Sequence, residues 1–256
     1  MGSRADPGDK GPHYGGQVRQ LLPTPVDEVD PGTTYRDPAR APRDGRPWVV
    51  ANMVASVDGR AAVGGRTAAL SGPADRAVFQ LLRTLADVVL VGAGTVRAER
   101  YGPVRGGDRP PVAVVSRSLE LDWASPLFTE AAQRSRVITC AAADPERRRR
   151  AESCAEVIVA GDEQVDLARA LAELGARGRR VVLCEGGPHL LGELVAAGLL
   201  DELCFTLAPV LAGGLEPRLI VAPSLDPPQS LRLASLIEDE GALLARYVRV
   251  APPTAG

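Results

Sequence analysis

The residues best suited to chemistry lie in two short stretches far apart in the chain. One holds Asn52, Ser56 and Asp58-Gly59; the other is Glu185-Gly186-Gly187-Pro188. Each supplies a carboxylate, Asp58 or Glu185, able to relay a proton or to accept hydrogen bonds from a substrate. Asn52 interrupts an apolar run, where a buried amide needs partners, and that makes it a candidate substrate contact. Ser56, Asp58 and Gly59 also have turn chemistry, so Asp58 is read two ways, as a turn former or as a proton relay. In the second stretch, paired glycines between an apolar run and a helical pattern let backbone N–H groups approach a ligand. The helix N-terminus that follows favours phosphate. Gly92-Ala93-Gly94-Thr95 and Ser116-Arg117-Ser118 are two further turns of similar make-up. None is a G-x-G-x-x-G or Walker loop. Three together favour a dinucleotide. Arg117 is placed to hold a 2′-phosphate, which would select NADPH over NADH; a surface arginine is the plain alternative.

Elements to position these residues are legible in the apolar pattern. Within 48–60, the apolar run of Val49, Val50, Met53 and Val54 reads as a central strand covered on both faces that stops at a polar turn, and the end of such a strand is where an open α/β sheet places its ligand. Ser71-Gly72-Pro73 looks like a helix start, with apolar spacing through 74–85. Short β-branched runs at 88–91, 112–115, 137–140, 157–159, 181–184 and 201–208 read as strands, with helices through 99, over 165–174 and over 189–197. Runs 231–237 and 243–250 flank Glu238-Asp239-Glu240-Gly241 as a hairpin. The expected fold class is α/β: three layers, α/β/α, around a mixed, mostly parallel sheet with a C-terminal antiparallel hairpin.

With 256 residues, 45% of them apolar, and a formal net charge of −2, the chain can bury a sizeable core. The balance gives no reason to expect nucleic acid or an anionic membrane as partner. No apolar run approaches the roughly 20 residues of a transmembrane helix, and a cytoplasmic location is the expectation. Residues 1–47, rich in Pro, Gly and charge, are expected to be a partly disordered lead-in, with 18–25 apolar enough to lie against the domain. The domain is expected over 48–250, followed by a tail, 251–256. Isolated cysteines (Cys140, Cys154, Cys184, Cys204) predict buried thiols rather than a metal or disulfide framework. Four arginines, 147–150, read as a solvated helical face. Neither His13 nor His189 is a convincing acid or base.

Val54-Ala55-Ser56-Val57-Asp58-Gly59-Arg60, Leu81-Leu82-Arg83, Val91-Gly92-Ala93-Gly94-Thr95-Val96 and Cys184-Glu185-Gly186-Gly187-Pro188-His189-Leu190 occur in this order. Together they resemble the bacterial bifunctional deaminase-reductase C-terminal domain family, the riboflavin-biosynthesis pyrimidine reductases of dihydrofolate reductase-like fold, over about residues 48–250. The resemblance implies NADPH as hydride donor and reduction of the ribosyl group of 5-amino-6-(5-phosphoribosylamino)uracil to a ribityl chain. It also implies a homodimer. Matched residue by residue, it sets Ala55, Ala69, Thr95, Glu99 and Ser116 near the cofactor. Gly187, Pro188, His189, Leu190, Leu191, Gly192 and Glu193 would wrap the cofactor phosphates, beside Gly186 and Gly92. Thr67, Arg83, Arg105 and Glu185 would contact the substrate, and the two arginines are apt for a ribose phosphate.

The chain departs from the family's pattern in two respects. No room precedes residue 48 for a zinc deaminase domain, so a stand-alone reductase is expected. Glu99-Arg100-Tyr101-Gly102-Pro103-Val104-Arg105 replaces the longer D-D-P-x-L-T-V-R segment. Both the altered segment and a missing aromatic near Ala69 fall on the substrate side. A reductase of another pyrimidine or of a pterin, and a non-catalytic NADPH-binding protein, therefore stay open.

Overall fold

The structure, a computed structural model, describes residues 18–103 and 109–250. In chain order the first elements are β1 (Arg19–Leu22), α1 (Pro31–Tyr35), β2 (Trp48–Ser56), α2 (Pro73–Leu85), β3 (Val88–Gly92), α3 (Ala93–Ala98), β4 (Val112–Val115), α4 (Pro126–Thr129) and β5 (Arg136–Thr139). They are followed by α5 (Pro145–Cys154), β6 (Glu156–Val159), α6 (Leu167–Ala176), β7 (Val181–Cys184), α7 (Pro188–Ala196), β8 (Glu202–Ala208), β9 (Leu231–Asp239) and β10 (Ala242–Arg249).

All the strands join one sheet in the order β1-β9-β10-β8-β2-β7-β3-β4-β5-β6. From β8 through to β6 the neighbours are parallel, as β-branched runs buried on both faces require. The antiparallel hairpin β9–β10 extends the β8 edge, and its turn uses Glu240 and Gly241 at positive φ. Alternation along β2 sends Val50 to one face and Val49, Ala51 and Met53 to the other. On the first face α2 contributes Ala74, Val78 and Leu82, and α5 contributes Ala151. On the second, α6 and α7 contribute Leu167, Leu171, Leu174, Leu190, Leu191 and Leu194. These layers are the α/β fold class expected from the pattern. Pro73 and Pro188 open α2 and α7 at their first positions, behind Gly72 and Gly187 as N-caps.

The lead-in differs from expectation over its described part. β1 pairs with β9 at the sheet edge, and Val18 and Tyr35 are buried. Arg40 forks onto Glu202 at 2.9 and 2.6 Å, and Arg46 onto Asp201 at 2.6 and 3.0 Å. Composition marks this segment as loose, but its order comes from ion pairs with residues more than 150 positions away. Residues 1–17 and the 251–256 tail lie outside the described residues. Cys140, Cys184 and Cys204 are buried free thiols and Cys154 is partly exposed. No helix among the described residues is long and apolar enough to cross a membrane.

Candidate active site

Parallel strands end together, so the turns after β2, β3, β4 and β7 share one edge of the sheet. Two cavities open there, of 790 and 630 Å³. Gly92, Gly94, His189 and Leu190 line both, so the turn after β3 and the start of α7 form their common rim.

The rim is backbone-rich. Gly186 adopts φ 81°, the Gly186–Gly187 peptide is cis, and the Gly186 carbonyl accepts from Gly92 N at 2.8 Å. A Cβ on Gly187 would meet Thr95 Oγ1 at 2.7 Å, whereas one on Gly94 would meet nothing within 4 Å. The N-cap of α7 is glycine, so no side chain caps its first N–H groups. Uncapped N–H groups beside open backbone suit an anion. Beyond the rim the second cavity is lined by Ser116, Arg117, Arg147, Gln164 and Glu193. Arg147 is held by Glu120 Oε1 at 2.7 Å and the Ser118 carbonyl at 3.1 Å. Arg117 has no such tie among the described residues. This set fits the charged, phosphate-bearing half of a dinucleotide.

The first cavity is walled by α2 and by the residues after β7. Arg83 forks onto Glu185 with two contacts of 2.7 Å, and its Nη2 donates to Tyr101 Oη at 2.7 Å. Tyr101 Oη in turn donates to Glu185 Oε2. The Arg83 guanidinium lies 4.2 Å from the Phe79 ring centre and 5.4 Å from that of Tyr101, a stacked cation in a half-dry wall. Burial, reinforced by the Glu185 charge, keeps the Tyr101 phenol well above its ordinary value. Burial alone would weaken the Arg83 charge, but Glu185 more than offsets it and raises its pKa. Asp75, on the first turn of α2, also lines this cavity; burial raises its carboxyl, and the Ser71 and Thr206 hydroxyls only partly oppose that.

Asn52, Thr67, Arg83, Glu99, Thr95, Glu185, Gly92, Gly187, Pro188, His189 and Leu190 all line the first cavity. Glu99 Oε1 accepts from Thr67 N at 2.9 Å, which ties the loop after β2 to the end of α3. Ser116, Arg117 and Glu193 line the second. Other expected contacts are corrected. Asp58 lines neither cavity: its two carboxylate oxygens accept from Ala212 N and Gly213 N at 2.9 and 2.8 Å. The Ser56 hydroxyl and these two N–H groups lower its pKa to about 2. These bonds tie its turn to the loop at Ala212 and Gly213. Ala55 is buried inside β2 opposite Leu207, and exposed Ala69 lies off the cavity wall beside Ala68. Gly186 sits behind the rim against Met53, Leu191 is core, and a Cβ on Gly192 would strike the Val221 carbonyl at 2.0 Å. Helical geometry explains these last two, because only one side of α7 can face the cleft. Arg105 lies outside the described residues.

Phe79, Tyr101, Asp75 and Arg147 were missed from sequence. Phe79 and Asp75 lie on the helix that carries Arg83, one and two turns earlier, so its cavity-facing stripe was the available signal. Arg147 was hidden in a run that reads as solvent-facing.

The RibD C-terminal domain family model matches residues 47–242. A 2,5-diamino-6-ribosylamino-4(3H)-pyrimidinone 5′-phosphate reductase of Methanothermobacter thermautotrophicus is 31% identical over 182 residues, 69% of this chain and 84% of that protein. The riboflavin biosynthesis protein RibD of Bacillus amyloliquefaciens is 31% identical over 185 residues, 70% of this chain but only 50% of the relative. Among solved structures, a pyrimidine reductase-like protein from Corynebacterium diphtheriae superposes with a TM-score of 0.70 at 26% identity, covering 80% of this chain and 93% of that one. With that match over most of its length, the chain belongs to the RibD C-terminal domain family of riboflavin-pathway reductases.

Proposed function

We propose that the chain is an NADPH-dependent reductase that converts the ribosyl group of a 5-phosphoribosylaminopyrimidine to a ribityl chain. The ring is either the uracil implied by the sequence resemblance or its 2-amino counterpart. The observation that carries this reading is the shared glycine rim, which joins an arginine-lined cavity to one with a polar and aromatic wall. A dinucleotide across that rim would have its pyrophosphate on the α7 N-terminus and Gly187, its 2′-phosphate near Arg117 and Ser116, and its nicotinamide beside Thr95 and Gly92. NADPH, when bound, supplies the hydride.

The substrate half of the cleft holds the acceptor. Opening of the ribosylamine exposes a C1′=N bond; C1′ gains the hydride, and one proton goes to the nitrogen or the former ring oxygen. In this reading Glu185, on the wall of the cavity, moves that proton, and the Arg83 fork and Tyr101 Oη fix its orientation. Arg83, engaged by Glu185, is thereby a positioning residue rather than a phosphate clamp. The wall of Phe79 and Tyr101 keeps water from the acceptor carbon. The same reading extends to a cytoplasmic homodimer, which sedimentation checks for its assembly.

The test is NADPH oxidation with the 2-oxo and 2-amino phosphoribosylaminopyrimidines and with dihydrofolate. Turnover of a pyrimidine alone supports the reading. Turnover of dihydrofolate alone, or tight NADPH binding without turnover, overturns it. Arg117→Ala is expected to raise the KM for NADPH about tenfold and to leave that for NADH unchanged, the loss of one charge-assisted phosphate contact.

A further inference from the structure

The lead-in precedes the residues matched to the family, yet it is built into the domain beside the helix that walls the first cavity. Tyr35, at the end of α1, is 1% exposed and joins the core that Ala74, Val78 and Leu82 of α2 share with Cys204, Ile237 and Leu244 of the sheet. Both α1 and β7 pack on α2. Burial raises the Tyr35 phenol, and Cys204, Asp75 and Glu202 add to that, which puts it within electrostatic reach of carboxylates on both α2 and β8. No side chain caps α2; Ala74 N donates instead to Asp239 Oδ2, at the end of β9, at 3.3 Å. β9 is the strand that β1 pairs with, so the lead-in flanks α2 through α1 and supports its N-terminus through the sheet edge. What α2 gives the site is a stripe: Asp75, Arg76, Phe79, Gln80 and Arg83 recur at helical spacing and all line the first cavity. Just after Tyr35 the lead-in is latched. Asp37 pairs with Arg246, and Arg40 forks onto Glu202, whose Oε1 also accepts from Arg246 Nε at 2.7 Å. The Arg40 and Glu202 side chains are 4% and 0% exposed. Removing one partner of so dry a pair is strongly unfavourable, so the latched segment keeps one position.

Resting on the reading that the first cavity takes the pyrimidine substrate, we propose that the lead-in is a brace for the substrate side of the cleft. Tyr35 packing and the Asp37–Arg246–Glu202–Arg40 latch fix where α2 lies, and with it Phe79 and Arg83. Tyr35, Asp37 and Arg40 line neither cavity, so they are positioning residues. Arg83 holds Glu185 through two contacts of 2.7 Å, and a small shift of α2 breaks that fork. A misplacement of about 1 Å far from the chemistry costs on the order of 10²-fold in rate. The glycine rim is spared, because α7 packs through Leu190, Leu191 and Leu194 on the other face of the sheet. Loosening the latch therefore weakens use of the pyrimidine and leaves NADPH binding intact.

The experiment compares the full-length wild type with Arg40→Met, Arg40→Lys, Asp37→Asn and Leu174→Ala, the last a core truncation in α6 on the opposite face. Two readouts are taken below each melting transition: kcat/KM for the pyrimidine beside the Kd for NADPH, and hydrogen exchange of the α2, α6 and α7 amides. Arg40→Met is expected to lower kcat/KM for the pyrimidine at least about tenfold and to leave the NADPH Kd within about twofold. Its α2 amides are expected to lose protection at least about tenfold relative to those of α6 and α7. Arg40→Lys, which keeps the charge but not the fork, falls between Arg40→Met and the wild type. Asp37→Asn breaks a partly exposed pair, gives the same pattern at smaller size, and carries the test if Arg40→Met does not fold. Leu174→Ala also melts lower, yet is expected to keep pyrimidine kinetics within about twofold and to loosen α6 rather than α2. Unchanged pyrimidine kinetics in the latch variants, parallel losses for pyrimidine and NADPH, or exchange that rises equally in all three helices makes the lead-in a source of stability alone and overturns the proposal. A wild type that turns over no pyrimidine overturns the reductase reading, and the exchange readout, which needs no substrate, then decides the brace by itself.

Discussion

The two ends of β8 treat a buried carboxylate in opposite ways. At its start, Glu202 has a fully buried side chain and receives Arg40 on both oxygens, Arg246 Nε at 2.7 Å and the Trp48 indole N–H at 3.3 Å. Its neighbour Asp201 takes Arg46 and the Val49 N–H. Near the other end, Thr206 and Ser71 offer Asp75 nothing but hydroxyls. Burial pushes both carboxyls up, but at Glu202 the two guanidinium groups win and hold it below its ordinary value, whereas Asp75 stays raised. A buried charge with every lone pair matched is a fastener: Glu202 ties the lead-in to the sheet. One left with open acceptor sites on a cavity wall is poised for a ligand.

The comparison breaks most easily at Glu202. Glu202→Gln would leave Arg40 without its anion and Arg246 with Asp37 alone, at a cost of about 3–5 kcal/mol and a Tm lower by roughly 10 °C. Urea denaturation and calorimetry check this. The Glu202 contribution is present above the ordinary carboxylate range and is lost as pH falls through its lowered folded value. Next in size is Arg83→Met, which leaves Glu185 held by Tyr101 alone. Turnover is expected to fall about 10²-fold with a smaller loss of Tm than in Glu202→Gln, as steady-state kinetics and melting curves would show.

Asp75→Asn sharpens the contrast from the other side. Its raised carboxyl means that stability is fully present below the ordinary carboxylate value and declines as pH rises through the folded value. The amide removes that penalty, so Tm at neutral pH is expected to hold or rise; a fall comparable to that of Glu202→Gln would make Asp75 a fastener too. The smallest effect belongs to Asp58→Asn, which is expected to keep turnover within about twofold. Its lowered carboxyl stabilises the tie to Ala212 and Gly213 above the ordinary carboxylate value, and that stability is lost as pH falls toward about 2, so the variant is expected to melt slightly below the wild type at neutral pH and to converge with it in acid.

The parallel strands, their glycine-rich ends, the helix opened by Pro73 and the terminal hairpin were all determined by the sequence itself. Each rests on a local rule: β-branched runs of strand length, Gly and Pro at turns, apolar spacing along a helix. The same locality made the cleft edge legible, because strands that run in parallel must bring their following turns together. Which side chain points into that edge was not local. Asp75 reads in sequence as an acidic residue on the first turn of a helix, favourable there in its own right, and its contact with Thr206 spans 131 positions. Arg83 has the chemistry of a phosphate clamp until Glu185, 102 positions away, takes both arms of its fork. Arg40 and Arg46 look like loose charges until β8 delivers Glu202 and Asp201 beneath them. Short-range patterns set where chain elements begin and end, but the partner of a polar group is decided by whatever distant segment the packed sheet brings within 3 Å of it.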